Sequence, residues 1–356
     1  MLSCFKTALG KVEMLDIPIP TPGPGEIVVK TTLATVCGSD MHFLDEIPNE
    51  LMVPLYPALA GFLAGLPGLP MGHEGVGTVH ALGEGVTRFQ PGERVCSLCL
   101  TGCGKCLQCH TGDYSICTGG GRNLFGTQGE YFVVPFADIN AAKIPDEVPD
   151  EQAIFATDIM STGFGAIERA ELKMGDSVAI FAQGPVGLCA TAGARARGAG
   201  LIITVESIPE RIEASKRFGA NVVINPQEKD PPSEIMSLTN GQGADVTVEA
   251  VGLQVTFDWA TRAVRRGGTV SSVGIYGIVP QIFMFTNAPS FYHRKIVTTY
   301  CPGGYLRLNH LLDIIRYGKV DLSPLFTHRM KISQTPEAYD LFRSKREGVL
   351  KIALTP

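Results

Sequence analysis

Between about residue 161 and residue 300, short apolar strands alternate with amphipathic helices, and nothing else in the chain limits its fold so narrowly. Ser177-Val-Ala-Ile-Phe-Ala is an apolar run of strand length, and a helical pattern over 185–198 follows it. Leu201-Ile-Ile-Thr-Val-Glu reads as a second strand, and the helix expected over 210–218 stops at Gly219. Asn221-Val-Val-Ile, Asp245-Val-Thr-Val-Glu and Gly268-Thr-Val-Ser-Ser-Val extend the series, with 295–300 as a sixth member. Parallel strands are covered on both faces, so they read as unbroken apolar runs, and each connection needs a crossover, usually a helix. The repeat predicts an α/β fold with a doubly wound parallel sheet of Rossmann type.

The residues before about 156 carry a different pattern. Glu26-Ile-Val-Val-Lys-Thr-Thr-Leu and Gly75-Val-Gly-Thr-Val-His-Ala-Leu alternate, and Pro91-Gly92 marks a turn feeding a strand at Val95. This predicts a mostly β domain over 1–156, a dinucleotide-binding domain over 157–300, and a segment 301–356 that returns to the first through a strand at 349–354. A chain of 356 residues with 45% apolar and 18% charged content is long and apolar enough for two cores. The net charge of −5 argues against a nucleic-acid partner, which needs clustered Lys and Arg. Residues 51–71 carry no charge and have the length of a membrane span. Pro54, Pro57, Pro67 and Pro70 break that stretch, so no membrane partner is expected. Residues 1–10 lack the apolar run of a signal peptide, and the expected location is the cytoplasm. In such a reducing compartment a crowd of cysteines points to metal rather than to disulfides.

Two motifs carry chemistry on their own. The first is the turn after the leading strand, Ala182-Gln183-Gly184-Pro185-Val186-Gly187, an imperfect Gly-x-Gly-x-x-Gly with Ala182 in the first place. Gly184 lets backbone approach a pyrophosphate, Gly187 lets the helix lie close to the sheet, and the helix N-terminus faces the phosphates. Glu206 closes the next strand about twenty residues on, where an acid binds the ribose hydroxyls and repels a 2′-phosphate. No Arg follows it immediately, so NAD is expected rather than NADP, with the nearby Arg211 counted among the cofactor-binding residues. The second motif is Cys103-x2-Cys106-x2-Cys109-x7-Cys117, four thiolates suited to a closed tetrahedral zinc site, with an iron–sulfur cluster as the alternative. Cys96 and Cys99, beside it, offer an alternative register but are expected to be buried thiols rather than ligands. A third stretch, Cys37-Gly38-Ser39-Asp40-Met41-His42 with Gly72-His73-Glu74, supplies zinc-type ligands where the pattern reads as strand and turn.

Together with Pro22-Gly23-Pro24-Gly25-Glu26, these stretches resemble the zinc-dependent medium-chain alcohol dehydrogenases, in order and over nearly the whole chain. Residues 157–163 and 301–307 resemble the bacterial secondary-alcohol branch of that family. The resemblance implies that the β domain is GroES-like and that Cys37, His73 and Asp158 hold a catalytic zinc, giving two zinc ions per chain with the four-cysteine loop. It implies Glu74 as a catalytic residue, either behind the ligands or as a transient fourth ligand, Ser39 and His42 as a proton relay, Thr162 on the nicotinamide side and Lys351 as a phosphate contact. It further implies a small alcohol or ketone substrate, a dimer or tetramer, and polyol or threonine dehydrogenases as the nearest alternatives. A non-catalytic NAD-binding redox sensor is the alternative from another class. Glu206 and the full set of four cysteines set this chain apart from the secondary-alcohol branch, which commonly uses NADP. So does the apolar stretch between His42 and Gly72, either an oligomer contact or surface loop, or a wall over the substrate cleft.

Overall fold

The chain divides into two units, Met1–Ser161 with Cys301–Pro356, and Thr162–Tyr300. The structure is a computed structural model and describes residues 1–277, 282, 293–344 and 348–356. Asp158 thus falls in the first unit rather than after a boundary at 156, and the division lies inside the helix Ile159–Arg169.

In the second unit β9 (Ser177–Phe181), β10 (Leu201–Val205), β11 (Val222–Ile224), β12 (Ala244–Glu249), β13 (Val264–Ser272) and β14 (Lys295–Thr298) form one sheet. Its order is β11-β10-β9-β12-β13-β14 and every pairing is parallel. That order reverses direction beside β9, which makes the ends of β9 and β12 the switch point where ligands bind. Successive residues of β9 serve opposite faces: Val178 and Ile180 join one core, Ala179 and Phe181 the other. Both faces are therefore apolar, which is why the strands read as runs. Gly219 ends the helix Pro209–Phe218 at φ 118°, a left-handed cap that glycine adopts without a Cβ penalty.

The first unit is built on β3 (Ile27–Val36), which pairs antiparallel with β5 (Gly75–Leu82), β7 (Tyr131–Val134) and β16 (Lys351–Thr355). The sheet runs β15-β16-β3-β5-β6-β8, with β6 over Arg94–Ser97, β8 over Ala141–Lys143 and β15 over Phe326–Lys331. A smaller sheet, β2-β1-β4, joins Lys11–Asp16, Leu2–Ala8 and Leu69–Pro70. The strand at 349–354 expected to close the chain is β16, lying in this unit.

Two local expectations are revised. Residues after Cys37 form a helix, Gly38–Asp45, rather than strand and turn. Asp40, its third residue, accepts a hydrogen bond from the Cys37 N–H (3.0 Å) and satisfies a donor the helix start leaves open. The uncharged stretch folds into a helix, Asn49–Leu55, two short turns and β4, and no helix among the described residues is long and apolar enough to cross a membrane. Met52, Leu59, Leu69 and Met71 from it are buried in the same core as Phe43, Phe125 and Ile352. Each such side chain contributes about 1.5–3 kcal/mol on burial, so the stretch is part of the unit's core and not only a surface loop.

Candidate active site

Strand register brings the first set of residues together. Ala34 on β3 faces Gly75 on β5, and Val36 faces Ile352 on β16. Cys37 directly follows β3, His73 and Glu74 directly precede β5, and Lys351 opens β16, so all four gather at one end of the sheet. Asp158 arrives from the short 3-10 helix Ile154–Thr157, whose Thr157 carbonyl accepts a bond from the Cys99 N–H (3.0 Å). One donor atom from each of Cys37, His73 and Asp158 lies within 4.8 Å of the others, and all three residues are buried. His73 Nε2 is 3.2 Å and Cys37 Sγ 3.6 Å from Asp158 Oδ2.

This donor set fits a divalent cation. A thiolate and a carboxylate balance its charge, and neutral imidazole completes a three-ligand set of the kind that leaves a position open. The surroundings fix the imidazole: Nδ1 is 2.8 Å from Asp40 Oδ1, the carboxylate–histidine arrangement that sets the tautomer of metal-binding rings. Burial pushes the His73 ring down, but Asp40, Asp158 and Cys37 outweigh it and hold the ring well above its ordinary value, a sign of how much negative charge converges there. Gln128 Nε2 donates to Asp40 Oδ2 (3.2 Å), and the Tyr339 hydroxyl donates to Gln128 Oε1 (2.9 Å), extending the support outward.

Glu74 and Lys351 form a buried ion pair on which Thr35 also donates to Glu74 Oε2. The other carboxylate oxygen, Oε1, is buried with no hydrogen-bond partner among the described residues. Lys351 is 1% exposed and its ammonium is engaged by Glu74, which revises the expected phosphate contact. Burial raises the Glu74 carboxyl above its ordinary value, with Lys351 opposing. Ser39 Oγ lies 3.1 Å from His73 Nε2, while His42, on the same helix, is about one-third exposed with Nδ1 2.6 Å from Glu46 Oε1.

The four-cysteine loop forms a second set. Cys103, Cys106, Cys109 and Cys117 offer sulfurs within 4.8 Å of one another. Cys106 Sγ is 3.5 Å from that of Cys109 and 3.7 Å from that of Cys117, close to the ~3.8 Å edge of a tetrahedron with zinc–sulfur bonds of ~2.3 Å. Backbone N–H groups of Lys105, Cys103, Gly119 and Gly121 point at these sulfurs, at 3.3 Å each, as they do where thiolate charge must be stabilised.

In the second unit the turn after β9 has the features of a dinucleotide cradle. Ala182 sits at φ 70°, a left-handed position where glycine is usual. At Gly184 a Cβ would meet nothing within 4 Å, so the glycine keeps that space clear for a ligand; at Gly187 it would lie 2.0 Å from the Ala182 carbonyl oxygen. Pro185 and Val186 open the helix Pro185–Ala196. Glu206 accepts bonds from the N–H groups of Gln183 (2.9 Å), Ser207 (2.8 Å) and Ile208 (3.0 Å), and Arg211 Nη1 is 4.0 Å from its Oε2. Thr162 lies buried in the helix Ile159–Arg169.

Residues 23–146 match the family described as alcohol dehydrogenase GroES-like domain, and residues 185–315 match zinc-binding dehydrogenase. The chain belongs to the alcohol dehydrogenase family of zinc-binding dehydrogenases, which are oxidoreductases. An alcohol dehydrogenase of Cupriavidus necator is 40% identical over 370 residues, covering 98% of this chain and 96% of that protein. The NADP-dependent isopropanol dehydrogenase of Thermoanaerobacter brockii is 33% identical, covering 97% and 96%. Among solved structures, alcohol dehydrogenase TADH from Thermus sp. ATN1 matches with a TM-score of 0.88 at 32% identity, covering 100% of this chain and 99% of that one.

Sequence reasoning assigned no role to Asp40, Gln128 or Tyr339. Asp40 was within reach, being inside the cysteine–histidine motif, but residues 128 and 339 join it only through tertiary structure.

Proposed function

We propose that the chain catalyses reversible hydride transfer between a secondary alcohol and its ketone, with NAD as the cofactor. The observation that carries this is the convergence of Cys37, His73 and Asp158 at the end of β3 and β5. A zinc ion held by those three would supply Lewis acidity, lowering the pKa of an alcohol hydroxyl. Ser39, its Oγ 3.1 Å from His73 Nε2, accepts the hydroxyl proton as its own hydroxyl proton passes on toward His42. His42 is three residues further along the same helix and so on the same face, with partial exposure that lets it pass the proton to solvent. Asp40 keeps the His73 ring oriented, and Glu74 is held next to the set by Lys351 and Thr35.

The choice of NAD rests on Glu206. Three backbone N–H donors fix its carboxylate at the end of β10, where it offers acceptors to a ribose diol and repels a phosphate there. The secondary alcohol rests on the resemblance at Asp158 and at 301–307 and on the isopropanol dehydrogenase relative. On the resemblance alone, the chain works in the cytoplasm as a homo-oligomer. A panel of primary, secondary and polyol substrates with both cofactors tests the reading: secondary alcohols with NAD should give the highest kcat/KM. His73→Ala should abolish alcohol-dependent NADH formation while NADH still binds. Unchanged turnover in that variant, or a preference for NADP, would overturn the corresponding assignment.

A further inference from the structure

Two cysteines that the dehydrogenase reading leaves unused meet at Asp158. The sulfurs of Cys99 and Cys301 and a carboxylate oxygen of Asp158 all lie within 4.8 Å of one another, and the residues are 5%, 3% and 9% exposed. They reach this point from three separate parts of the first unit. Cys99 is pinned on both sides, its N–H donating to the Thr157 carbonyl (3.0 Å) and its carbonyl accepting from Leu124 (2.7 Å). Cys301 sits against the same segment, its thiol 3.7 Å from the Asp158 carbonyl oxygen. Gly303 and Gly304 follow it and press on Tyr114, where a Cβ on either would lie 2.7 Å from that side chain. The backbone at Cys99 and that following Cys301 are therefore held by contacts other than the two sulfurs.

A buried thiol alone is an ordinary small apolar residue. Two of them converging on a carboxylate are a donor set. Around one zinc-sized ion, with bonds of ~2.3 Å to sulfur and ~2.0 Å to oxygen, donors stand roughly 3.5–3.8 Å apart. The present spacing can close to that by small side-chain movements. A carboxylate has two oxygens, so Asp158 can serve this set and the Cys37–His73 set together. We propose that Cys99, Cys301 and Asp158 form a second metal seat beside the catalytic one, taking a thiophilic divalent cation such as zinc or cadmium, with Asp158 bridging the two ions. Charge supports double occupancy. The thiolates of Cys37, Cys99 and Cys301 with the Asp158 carboxylate carry four negative charges, matching two divalent ions, while Glu74 and Lys351 cancel each other. Filling the seat releases one proton from each of the two thiols to solvent, and no electron moves.

The seat shares Asp158 with the site of the proposed function but uses neither Cys37 nor His73, so each assignment can fail alone. The test counts bound metal. Holoenzyme kept reduced with a phosphine is equilibrated with cadmium chloride, desalted and analysed for metal, with thiolate-to-cadmium absorbance recorded alongside. The wild-type chain should bind one equivalent more than Cys99→Ser/Cys301→Ser and show the absorbance of two further thiolates. His73→Ala should keep that equivalent. Cadmium NMR of the exchanged wild-type protein needs no variant and should give a resonance in the range of a two-thiolate site with oxygen, separate from any four-thiolate or one-thiolate signal. Equal stoichiometry in wild type and double variant, no resonance of a two-thiolate site, or a Cys99–Cys301 disulfide in the reduced holoenzyme would each overturn the proposal.

Discussion

Lys351→Met separates two accounts of one lysine. The sequence resemblance makes Lys351 a phosphate contact, whereas the structure buries it against Glu74, each side chain 1% exposed. Removing the ammonium leaves the Glu74 carboxylate with Thr35 as its donor, and Glu74 Oε1 is already without a partner among the described residues. Taking one member from a buried ion pair costs about 3–5 kcal/mol, because the remaining charge stays desolvated. For a unit of this size, where each kcal/mol moves the midpoint by about 2–4 °C, the melting temperature should fall by about 6–20 °C. Methionine fills similar volume, so little of the loss comes from packing. Adding Glu74→Gln removes the stranded charge and should restore more than half of the stability.

The assay has to see the first unit. The only tryptophan, Trp259, lies in the second, so its fluorescence reports surroundings other than those of Lys351. Scanning calorimetry of the parent, Lys351→Met and the double variant resolves the change, and NADH titration of the same samples measures cofactor affinity. A single variant that melts within about 2 °C of the parent yet binds NADH tenfold more weakly would refute the ion-pair account and return Lys351 to the phosphate.

Three further outcomes are expected. Gly187→Ala places a Cβ 2.0 Å from the Ala182 carbonyl oxygen, and parting strand from helix costs about 1–3 kcal/mol or more, so NADH affinity should drop by about tenfold in a fluorescence titration with zinc content unchanged. Cys106→Ser should lower the zinc of the isolated protein from about two per chain to about one by metal analysis, since a closed four-sulfur site tolerates no substitute well. At Asp245 burial pushes the carboxyl up, but bonds from the Ser177 N–H (2.8 Å) and hydroxyl (2.7 Å) and from Arg265 outweigh it and hold it below 3.8. Such a group stabilises fully above its unfolded pKa and loses that contribution as pH falls through the folded one, so Asp245→Asn should be less stable at neutral pH and flatter below about pH 4 in urea unfolding.

How far the sequence carried depended on whether a feature was local. The central strands of the parallel sheet were legible because they are covered on both faces, and Gly187 was legible because a Cβ there would lie 2.0 Å from the Ala182 carbonyl oxygen. The helix at Gly38–Asp45 was missed because its start depends on Asp40 turning back to the Cys37 N–H, while its residues show no strong apolar period. For Lys351 the resemblance implies a phosphate contact, and the structure sets a buried ion pair beside that expectation. A lysine near the end of a dinucleotide-binding chain looks like a phosphate ligand until the Val36–Ile352 pairing puts it beside Glu74. Cys99 likewise belongs by sequence to the cysteine-rich loop and by structure to Asp158.

The same locality explains why the long stretch between His42 and Gly72 does not disturb the ligands on either side of it. Its two ends are held by groups outside it. Lys6 on β1 is fully buried and donates to the carbonyls of Phe43 (2.8 Å) and Ile47, closing the last turn of the helix Gly38–Asp45, and the Gly10 N–H takes the Leu44 carbonyl (2.8 Å). At the other end β4 pairs with β1 through Leu69 and Pro70, three residues before His73. A connection anchored to one strand at both ends contributes only the slowly growing entropy of loop closure as it lengthens. Cys37 and His73 therefore keep the spacing that the β3–β5 register gives them, and the added residues are free to vary in what their exposed apolar side chains, Leu51, Val53 and Leu55, present outward.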